Sequence, residues 1–135
     1  MRKHVLLLIV ISTMVLSCKP GQEKIDRMLY EAINKIQKSD SKGAIEDLTE
    51  IIGYQENNYQ AYFYRANANF NLKKAKEALN DYNKAIELKP DYADAFYNRG
   101  LCKQYLGDKT GACSDWDKAV VLGKPNVKDM LNNCE

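Results

Sequence analysis

Residues 61–92 read AYFYRANANFNLKKAKEALNDYNKAIELKPDY, and residues 93–123, which follow them, read ADAFYNRGLCKQYLGDKTGACSDWDKAVVLG. Residues of the first stretch can be paired with residues of the second at the spacing that separates Ala78 from Ala112. At this spacing small residues match small ones and bulky apolar residues match bulky ones. This repeat step reaches back into residues 25–58, and the matched sets are Ala44, Ala78 and Ala112; Ile51, Ala85 and Ala119; Ala32, Ala66 and Gly100; Leu48, Tyr82 and Trp116; and Met28, Tyr62 and Phe96. A fixed period with small and bulky positions in phase predicts stacked helical hairpins.

Each unit contains two helical patterns separated by a short break. In residues 59–92 the first pattern carries Tyr62, Ala66 and Phe70 on one helix face. The second pattern stops before Pro90, because proline cannot continue a helix. The recurring alanines have a physical reason, since two helices that cross closely leave room for small side chains alone.

The two quoted stretches resemble the tetratricopeptide repeat. The family pattern of aromatic, small residue, alanine, aromatic, alanine and proline is met in residues 59–92 by Tyr62, Ala66, Ala78, Tyr82, Ala85 and Pro90. The resemblance implies an all-α fold, an α-solenoid of three helical hairpins with a C-terminal capping helix. The implied units are a degenerate repeat at 25–58, repeats at 59–92 and 93–124, and a capping helix at 125–135. Such stacks hold other molecules and rarely carry chemistry themselves.

The beginning of the chain predicts export and lipidation. A basic head precedes an apolar run at 5–16, which is shorter than the roughly 20 residues that a membrane-spanning helix needs. Val15-Leu16-Ser17-Cys18 resembles a bacterial lipobox, which implies a lipoprotein signal peptide at 1–17, a lipidated Cys18 and a lipid-anchored linker at 18–24. Lys19 after the cysteine favours an outer membrane. The alternative is an ordinary signal peptide with an incidental cysteine.

Composition argues against several classes of function. Arg2 and Lys3 would leave with the signal peptide, which reduces 20 basic residues to 18 against 18 acidic ones, so no basic excess favours nucleic acid. The one histidine, His4, would leave as well, which excludes a serine–histidine triad or a His-ligated zinc site. We therefore expect no enzyme, no metal and no cofactor. Three aspartates recur at the repeat step and are interpreted as solvent-facing or hairpin-stabilising residues: Asp47, Asp81 and Asp115.

The cysteines that follow Cys18 suggest a disulfide, which an exported protein can hold. The helix that ends near residue 122 and the cap that starts near residue 125 run antiparallel. Counting equally far from that connection in each direction reaches Cys113 and Cys134, so this pair is favoured. A Cys102–Cys113 pair and three free thiols are the alternatives.

The resemblance also implies a binding surface, because in the family the first helix of each hairpin lines an inner groove. The mapped positions that we take as the protein-binding groove are Tyr30, Phe63, Tyr64, Asn67, Tyr97, Asn98 and Leu101. Tyrosine offers a large contact area and asparagine can hydrogen-bond a peptide backbone. Some eukaryotic relatives clamp chaperone C-termini with Lys, Arg and Asn, but Phe63 and Asn132 stand where two of those cations would be, so that function is not inferred.

The combined interpretation is a membrane-anchored adaptor that holds an unidentified protein or peptide partner in a bacterial cell envelope. The alternative is a structural subunit that is packed permanently inside a larger envelope complex. An exposed aromatic groove would favour the adaptor, and an exposed apolar convex face would favour the subunit.

Overall fold

The computed structural model describes residues 20–132 and 134, and this part of the chain is helical with no strand. The helices are α1 Gln22–Gln37, α2 Ser41–Tyr54, α3 Tyr59–Asn71, α4 Ala75–Leu88, α5 Ala93–Tyr105, α6 Lys109–Val121 and α7 Lys128–Leu131. Each helix packs against the next along the chain, and α3 also contacts α1 and α5. The prediction of an all-α stack of three hairpins with a short terminal helix is therefore confirmed.

The core is built at the positions that recur at the repeat step. Ala44, Ala78 and Ala112 are fully buried. The bulky residues one helical turn later are buried as well, namely Leu48, Tyr82 and Trp116. The third hairpin has glycine where the first two have alanine. At Gly100 an added Cβ atom would overlap the Trp116 indole. The equivalent positions of the preceding hairpin hold Ala66 and Tyr82. The larger indole is thus matched by the smaller glycine, which preserves close packing.

The turns inside the hairpins share one backbone conformation. Each contains a residue with a positive φ angle, and these residues are also separated by the repeat step: Ser39 at 65°, Lys73 at 62° and Gly107 at 87°. This left-handed conformation is unfavourable for a residue with a Cβ atom. Lys73 therefore adopts the conformation without the freedom that glycine has at the third turn.

Two of the three turns are followed by an N-cap. The Asp40 carboxylate accepts a hydrogen bond from the Gly43 amide at 3.0 Å, and the Asp108 carboxylate accepts one from the Gly111 amide at 2.9 Å. Lys74 occupies the same position before α4 and makes no side-chain cap. The middle hairpin therefore lacks both the turn glycine and the capping carboxylate.

The predicted linker extends to residue 24, whereas α1 already begins at Gln22. The Gly21 carbonyl accepts the amides of Lys24 and Ile25, which closes the first helical turn. The Gln22 side chain also bonds Asp26 one turn later, at 2.8 Å. The helix therefore starts before the predicted boundary at residue 25.

The predicted capping helix at 125–135 is much shorter in the structure, where α7 spans Lys128–Leu131. The chain leaves α6 through Gly123, with φ of 85°, and Asn126 is also left-handed, with φ of 59°. These two angles interrupt helical geometry before Val127, whose side chain is buried and seals the last hairpin. The cap is therefore a turn with one buried anchor and a single helical turn.

The predicted signal peptide at 1–17 and Cys18 lie outside the described residues. In the part of the chain that the structure describes, every helix is too short or too polar to cross a membrane.

Candidate protein-binding groove

The first helices of the hairpins, α1, α3 and α5, carry all seven predicted groove residues. Tyr30 on α1 is 65% exposed. Five others are half-buried along α3 and α5, namely Tyr64, Asn67, Tyr97, Asn98 and Leu101. The seventh, Phe63, is in a different environment and requires a correction.

Phe63 belongs to the core and does not line the groove. Its side chain is 6% exposed. Its ring lies 4.8 Å from the ring of Tyr92, 5.1 Å from that of Tyr64 and 6.1 Å from that of Tyr82, measured between centroids. Rings at these separations attract one another beyond simple burial. The prediction that Phe63 is a groove residue is therefore wrong, because Tyr82 and Tyr92 from the following segments pack against its ring.

Tyr64 spans the junction between the first two hairpins. It packs against the core clusters of both, while part of its surface remains accessible. Partial burial raises the pKa of the Tyr64 phenol, and the nearby Asp94 carboxylate adds to the rise. The hydroxyl therefore stays protonated at neutral pH and can donate a hydrogen bond to a bound chain.

Asn67 and Asn98 are joined directly and form the polar floor of the groove. The Asn98 amide donates to Asn67 Oδ1 at 2.9 Å, and the hydroxyl of buried Tyr82 donates to the same oxygen at 2.7 Å. Burial raises the pKa of Tyr82, which the Asn98 amide partly offsets. The network uses the Asn67 oxygen, and in the described part of the chain the Asn67 amide nitrogen and the Asn98 oxygen make no side-chain hydrogen bond.

Tyr97 and Leu101 occupy the part of the groove formed by the last hairpin. Lys124 Nζ lies 5.2 Å from the centre of the Tyr97 ring and 2.5 Å from Asp94, so it covers one face of the ring. The Trp116 indole donates to the Tyr97 carbonyl at 3.3 Å, which ties the backbone of α5 to α6. Leu101 packs partly against the core of the third hairpin, which contains Phe96 and Trp116.

The structure brings the predicted residues together in two groups. Phe63 touches Tyr64, and Asn67 bonds Asn98. Tyr30 makes no ring contact or side-chain hydrogen bond with the other six among the described residues. The groove is therefore a half-buried strip on α3 and α5 with one exposed tyrosine on α1.

Sequence reasoning missed the arginines that hold the hairpins together. Arg65 donates to both carboxylate oxygens of Asp81 at 2.8 Å, and Arg99 donates to both oxygens of Asp115 at 2.7 and 2.8 Å. Such paired hydrogen bonds between ions are strong and directional. The recurring aspartates are thus hairpin-stabilising, as one of the two interpretations held. The missed signal is that Arg65 and Arg99 are themselves separated by the repeat step.

The same arginines connect neighbouring hairpins. Arg65 also donates to Thr49 Oγ1 on α2 at 3.1 Å, and Arg99 donates to Asn83 Oδ1 on α4 at 2.9 Å. In the first hairpin Glu31 replaces the arginine, and Lys35 pairs with Asp47 at 2.6 Å. Each hairpin therefore has an ion pair to its recurring aspartate. The cation is an arginine in the second and third hairpins and Lys35 in the first.

The structure joins Cys113 on α6 to Cys134, with the Cα atoms 5.8 Å apart. This is the pair that counting residues from the connection favoured. Cys102 is a buried free thiol that donates to the Ala75 carbonyl, and burial raises its pKa. Within residues 20–132 and 134, no three His, Cys, Asp or Glu side chains are grouped so as to hold a metal ion.

Comparisons with known proteins support the same fold. The family model described as TPR repeat matches residues 66–107, and the model described as Tetratricopeptide repeat matches residues 94–121. A curated relative, the heat shock protein sti1 homolog of Schizosaccharomyces pombe, is 35% identical over 95 residues. The match covers 70% of this chain but 16% of that protein, so the chain spans about a sixth of the relative's length.

Two solved structures illustrate the likeness. The first TPR of Spaghetti (RPAP3) bound to the HSP90 peptide SRMEEVD superposes with a TM-score of 0.80 at 22% identity, and the match covers 87% of this chain and 94% of that one. The Yersinia enterocolitica type III secretion chaperone SycD, in complex with a peptide of the translocator YopD, gives a TM-score of 0.79 at 14% identity over 84% and 94% of the two chains. At these identities the likeness concerns the fold.

Proposed function

This chain belongs to the tetratricopeptide repeat family, and we propose that it is a lipid-anchored adaptor of a bacterial cell envelope. It binds an extended or helical segment of a partner protein in the groove formed by α1, α3 and α5. The single observation that carries this proposal is the groove itself, where partly accessible tyrosines flank the bonded pair Asn67 and Asn98.

The groove has the chemistry of a peptide-binding surface. Tyr64 and Tyr97 present aromatic area whose orientation is already restricted by the core, so little side-chain entropy is lost on binding. Asn67 and Asn98 offer donors and acceptors to a backbone at fixed positions. Two proteins of similar fold carry peptides in their solved structures, the HSP90 peptide and the YopD peptide. These observations favour a binding module over an enzyme.

The proposed anchor is Cys18, and only Lys19, Pro20 and Gly21 separate it from the first residue of α1 at Gln22. A linker of this length spans about 10–15 Å when extended. Lipid at Cys18 would therefore hold the first hairpin close to the membrane surface. Stable anchoring requires two or more acyl chains, which a bacterial lipoprotein cysteine carries.

The anchor is tested by mass spectrometry of the mature protein from its native cells. The expected N-terminal peptide begins at Cys18 and carries the mass of attached acyl chains. The Cys18→Ala variant should lose this mass and the lipoprotein type of processing. A wild-type peptide that begins elsewhere, or carries no acyl chain, would refute the lipoprotein proposal.

The groove is tested by partner capture. Crosslinking of the tagged protein in native cells, followed by mass spectrometry, identifies the partner, and pull-down then compares variants against it. Tyr30→Ala combined with Tyr97→Ala should reduce capture at least about tenfold, because a few aromatic anchors carry most of such an interface. Phe63 is left intact, since its removal would damage the core.

The matched control is Val121→Ala at the end of α6, where the side chain is 71% exposed and does not belong to any of the three groove helices. Capture by this variant should equal that of the wild type. Undiminished capture by the folded double tyrosine variant would move the binding surface elsewhere and favour the permanently packed structural subunit.

A further inference from the structure

The turns inside the three hairpins lie along one edge of the solenoid, which we call the turn edge and define as residues 37–42, 71–76 and 105–110. The turn edge carries six lysines, two aspartates and no glutamate, a net charge of +4. All six lysines are exposed, and they are Lys38, Lys42, Lys73, Lys74, Lys76 and Lys109. Because like charges repel, this clustering raises the electrostatic energy of the free protein.

The lysines lack acidic partners on the molecule itself. No ion pair within the described residues involves any of the six, although other lysines do pair, such as Lys35 with Asp47 and Lys124 with Asp94. The two aspartates of the turn edge are occupied as N-caps of α2 and α6. The positive charge of the turn edge is therefore available to an external anion.

The opposite edge of the molecule has the opposite sign. This acidic edge comprises residues 21–26, 55–60 and 89–94, which contain the starts of the first helices of the hairpins. It carries two basic and five acidic side chains, which are Lys24 and Lys89 against Glu23, Asp26, Glu56, Asp91 and Asp94. Lys124 also reaches this edge and pairs with Asp94, so the turn edge carries the larger net charge of the two.

The turn edge is also aromatic. Tyr105 is 56% exposed and Leu106 is 40% exposed, so two large apolar side chains face solvent next to each other. The Tyr105 ring packs edge-on against Phe70 with centroids 5.7 Å apart, and Lys73 Nζ lies 5.8 Å from the Tyr105 centroid. The exposed ring is therefore held in place by the neighbouring hairpin.

Two clefts separate the three turns, and Lys73 lines both of them. The cleft between the first and second turns has a volume of about 460 Å³ and is lined by Ser39, Phe70, Leu72 and Lys73, among others. The cleft between the second and third turns, of about 340 Å³, is lined by Lys73, Lys74, Lys76, Glu77, Tyr105 and Leu106. Side chains of an extended segment could enter these clefts in turn, whereas a flat layer of lipid headgroups would leave them unfilled.

We propose that the turn edge is a second docking surface, which binds an acidic, extended segment of a partner protein that carries an aromatic or aliphatic side chain. The carboxylates of that segment face the lysines, and its apolar side chain packs on Tyr105 and Leu106. The surface is separate from the groove, because it comprises the turns at the far ends of α1, α3 and α5. Two partner segments can therefore be held at once.

The probe for this test is a fluorescent synthetic peptide of glutamates interrupted by one phenylalanine and one leucine, and its binding to the purified full-length protein is followed by fluorescence anisotropy. The triple variant Lys73→Gln, Lys74→Gln and Lys76→Gln should weaken binding at least about tenfold, and added salt should weaken binding to the wild type. Tyr105→Ala should weaken binding several-fold even at high salt, because the aromatic contact is not screened.

A charge-matched control removes three exposed lysines elsewhere, as Lys24→Gln, Lys118→Gln and Lys128→Gln. This variant and the groove variant Tyr30→Ala with Tyr97→Ala should bind the probe within about twofold of the wild type, which separates the turn edge from the proposed groove. Equal losses in the two lysine triples would mean general charge attraction and would overturn the proposal.

Other occupants give distinguishable results. Binding to phosphatidylglycerol vesicles that exceeds binding to the peptide, and that is lost in the Lys73 triple variant, would assign the turn edge to a membrane surface instead. Sedimentation velocity that shows concentration-dependent association of the wild type, abolished by the same triple, would assign it to the acidic edge of a second copy. Either result would replace the acidic segment as the occupant.

Discussion

Phe63 and Tyr30 show how differently two aromatic residues on first helices can contribute. Phe63 contacts three other rings and is almost completely buried, whereas Tyr30 projects into solvent from α1. Both belong to the same set of mapped groove positions. The difference arises because Phe63 occupies the repeat position of buried Leu29, whereas Tyr30 occupies that of Tyr64, which packs against the preceding hairpin as well as its own.

Phe63→Ala should lower the free energy of unfolding by about 3–5 kcal/mol, since it removes a large buried ring and leaves a cavity. Tyr30→Ala should change the same quantity by less than about 0.5 kcal/mol, because the side chain is exposed. Urea denaturation followed by circular dichroism measures both. Equal effects of the two substitutions would contradict the assignment of Phe63 to the core.

Lys73→Gly should stabilise the protein by about 0.5–1 kcal/mol, because glycine removes the left-handed penalty that Lys73 carries at φ of 62° but adds chain entropy to the unfolded state. The matched control is Lys76→Gly at the second residue of α4, which should destabilise by less than the roughly 1 kcal/mol that glycine costs in a helix interior. Thermal melts of the two variants should move in opposite directions. A destabilised Lys73→Gly protein would mean that the left-handed residue lies elsewhere in the turn.

At the scale of the element, the helices of the hairpins could be predicted and the C-terminal cap could not. Periodic small and bulky residues define long helices, because each such position contributes to the same face. The segment after Gly123 has no such redundancy, and its path depends on two left-handed residues and on the burial of Val127. The groove was predicted with the right helices but with Phe63 misplaced, since a repeat pattern does not reveal which neighbour covers a given residue.

The Cys113–Cys134 bond is expected to hold this short cap in place. The bond closes a loop between cysteines that are 21 residues apart in sequence. Breaking it should lower the free energy of unfolding by about 3 kcal/mol, because the unfolded chain gains conformational entropy. Oxidised wild-type protein should therefore melt higher than Cys134→Ser. A reductant should lower the melting temperature of the wild type and leave that of the variant unchanged.

Non-reducing peptide mapping of the protein purified without reductant identifies the linked pair directly. The expected linked peptides contain Cys113 and Cys134, and Cys102 should be alkylated only after unfolding, because it is buried. A Cys102–Cys113 peptide, or three thiols that react in the folded protein, would contradict this connectivity.

At the scale of the whole molecule, the arginines connect neighbouring hairpins through polar contacts. Each one binds the aspartate of its own hairpin and reaches the second helix of the hairpin before it. Arg99 is the clearer case, since Asp115 is nearly inaccessible and is also approached by Lys103 at 2.9 Å. A substitution at either contact therefore affects two hairpins and not one.

Asn83→Ala should lower the free energy of unfolding by about 1 kcal/mol through loss of the hydrogen bond from Arg99. In an Arg99→Ala background the same substitution should have almost no further effect, and this difference measures the coupling between hairpins. Urea denaturation of the four proteins completes the cycle. The control is Asn80→Ala on the same helix, where the asparagine is likewise exposed but makes no side-chain hydrogen bond among the described residues. Fully additive effects would show that the contact does not couple the hairpins.

The matching positions of Arg65 and Arg99 have a consequence for how such a chain can evolve. The interface between the second and third hairpins uses the same chemistry as the interface between the first and second. In both, an arginine donates to the preceding hairpin, to Asn83 in one case and to Thr49 in the other. An in-frame duplication of residues 59–92 would therefore insert a copy whose arginine, aspartate and acceptor all meet ready-made counterparts. Insertions and deletions in this lineage should accordingly be tolerated as whole repeats between the second and third hairpins, and shorter ones should be confined to the loops.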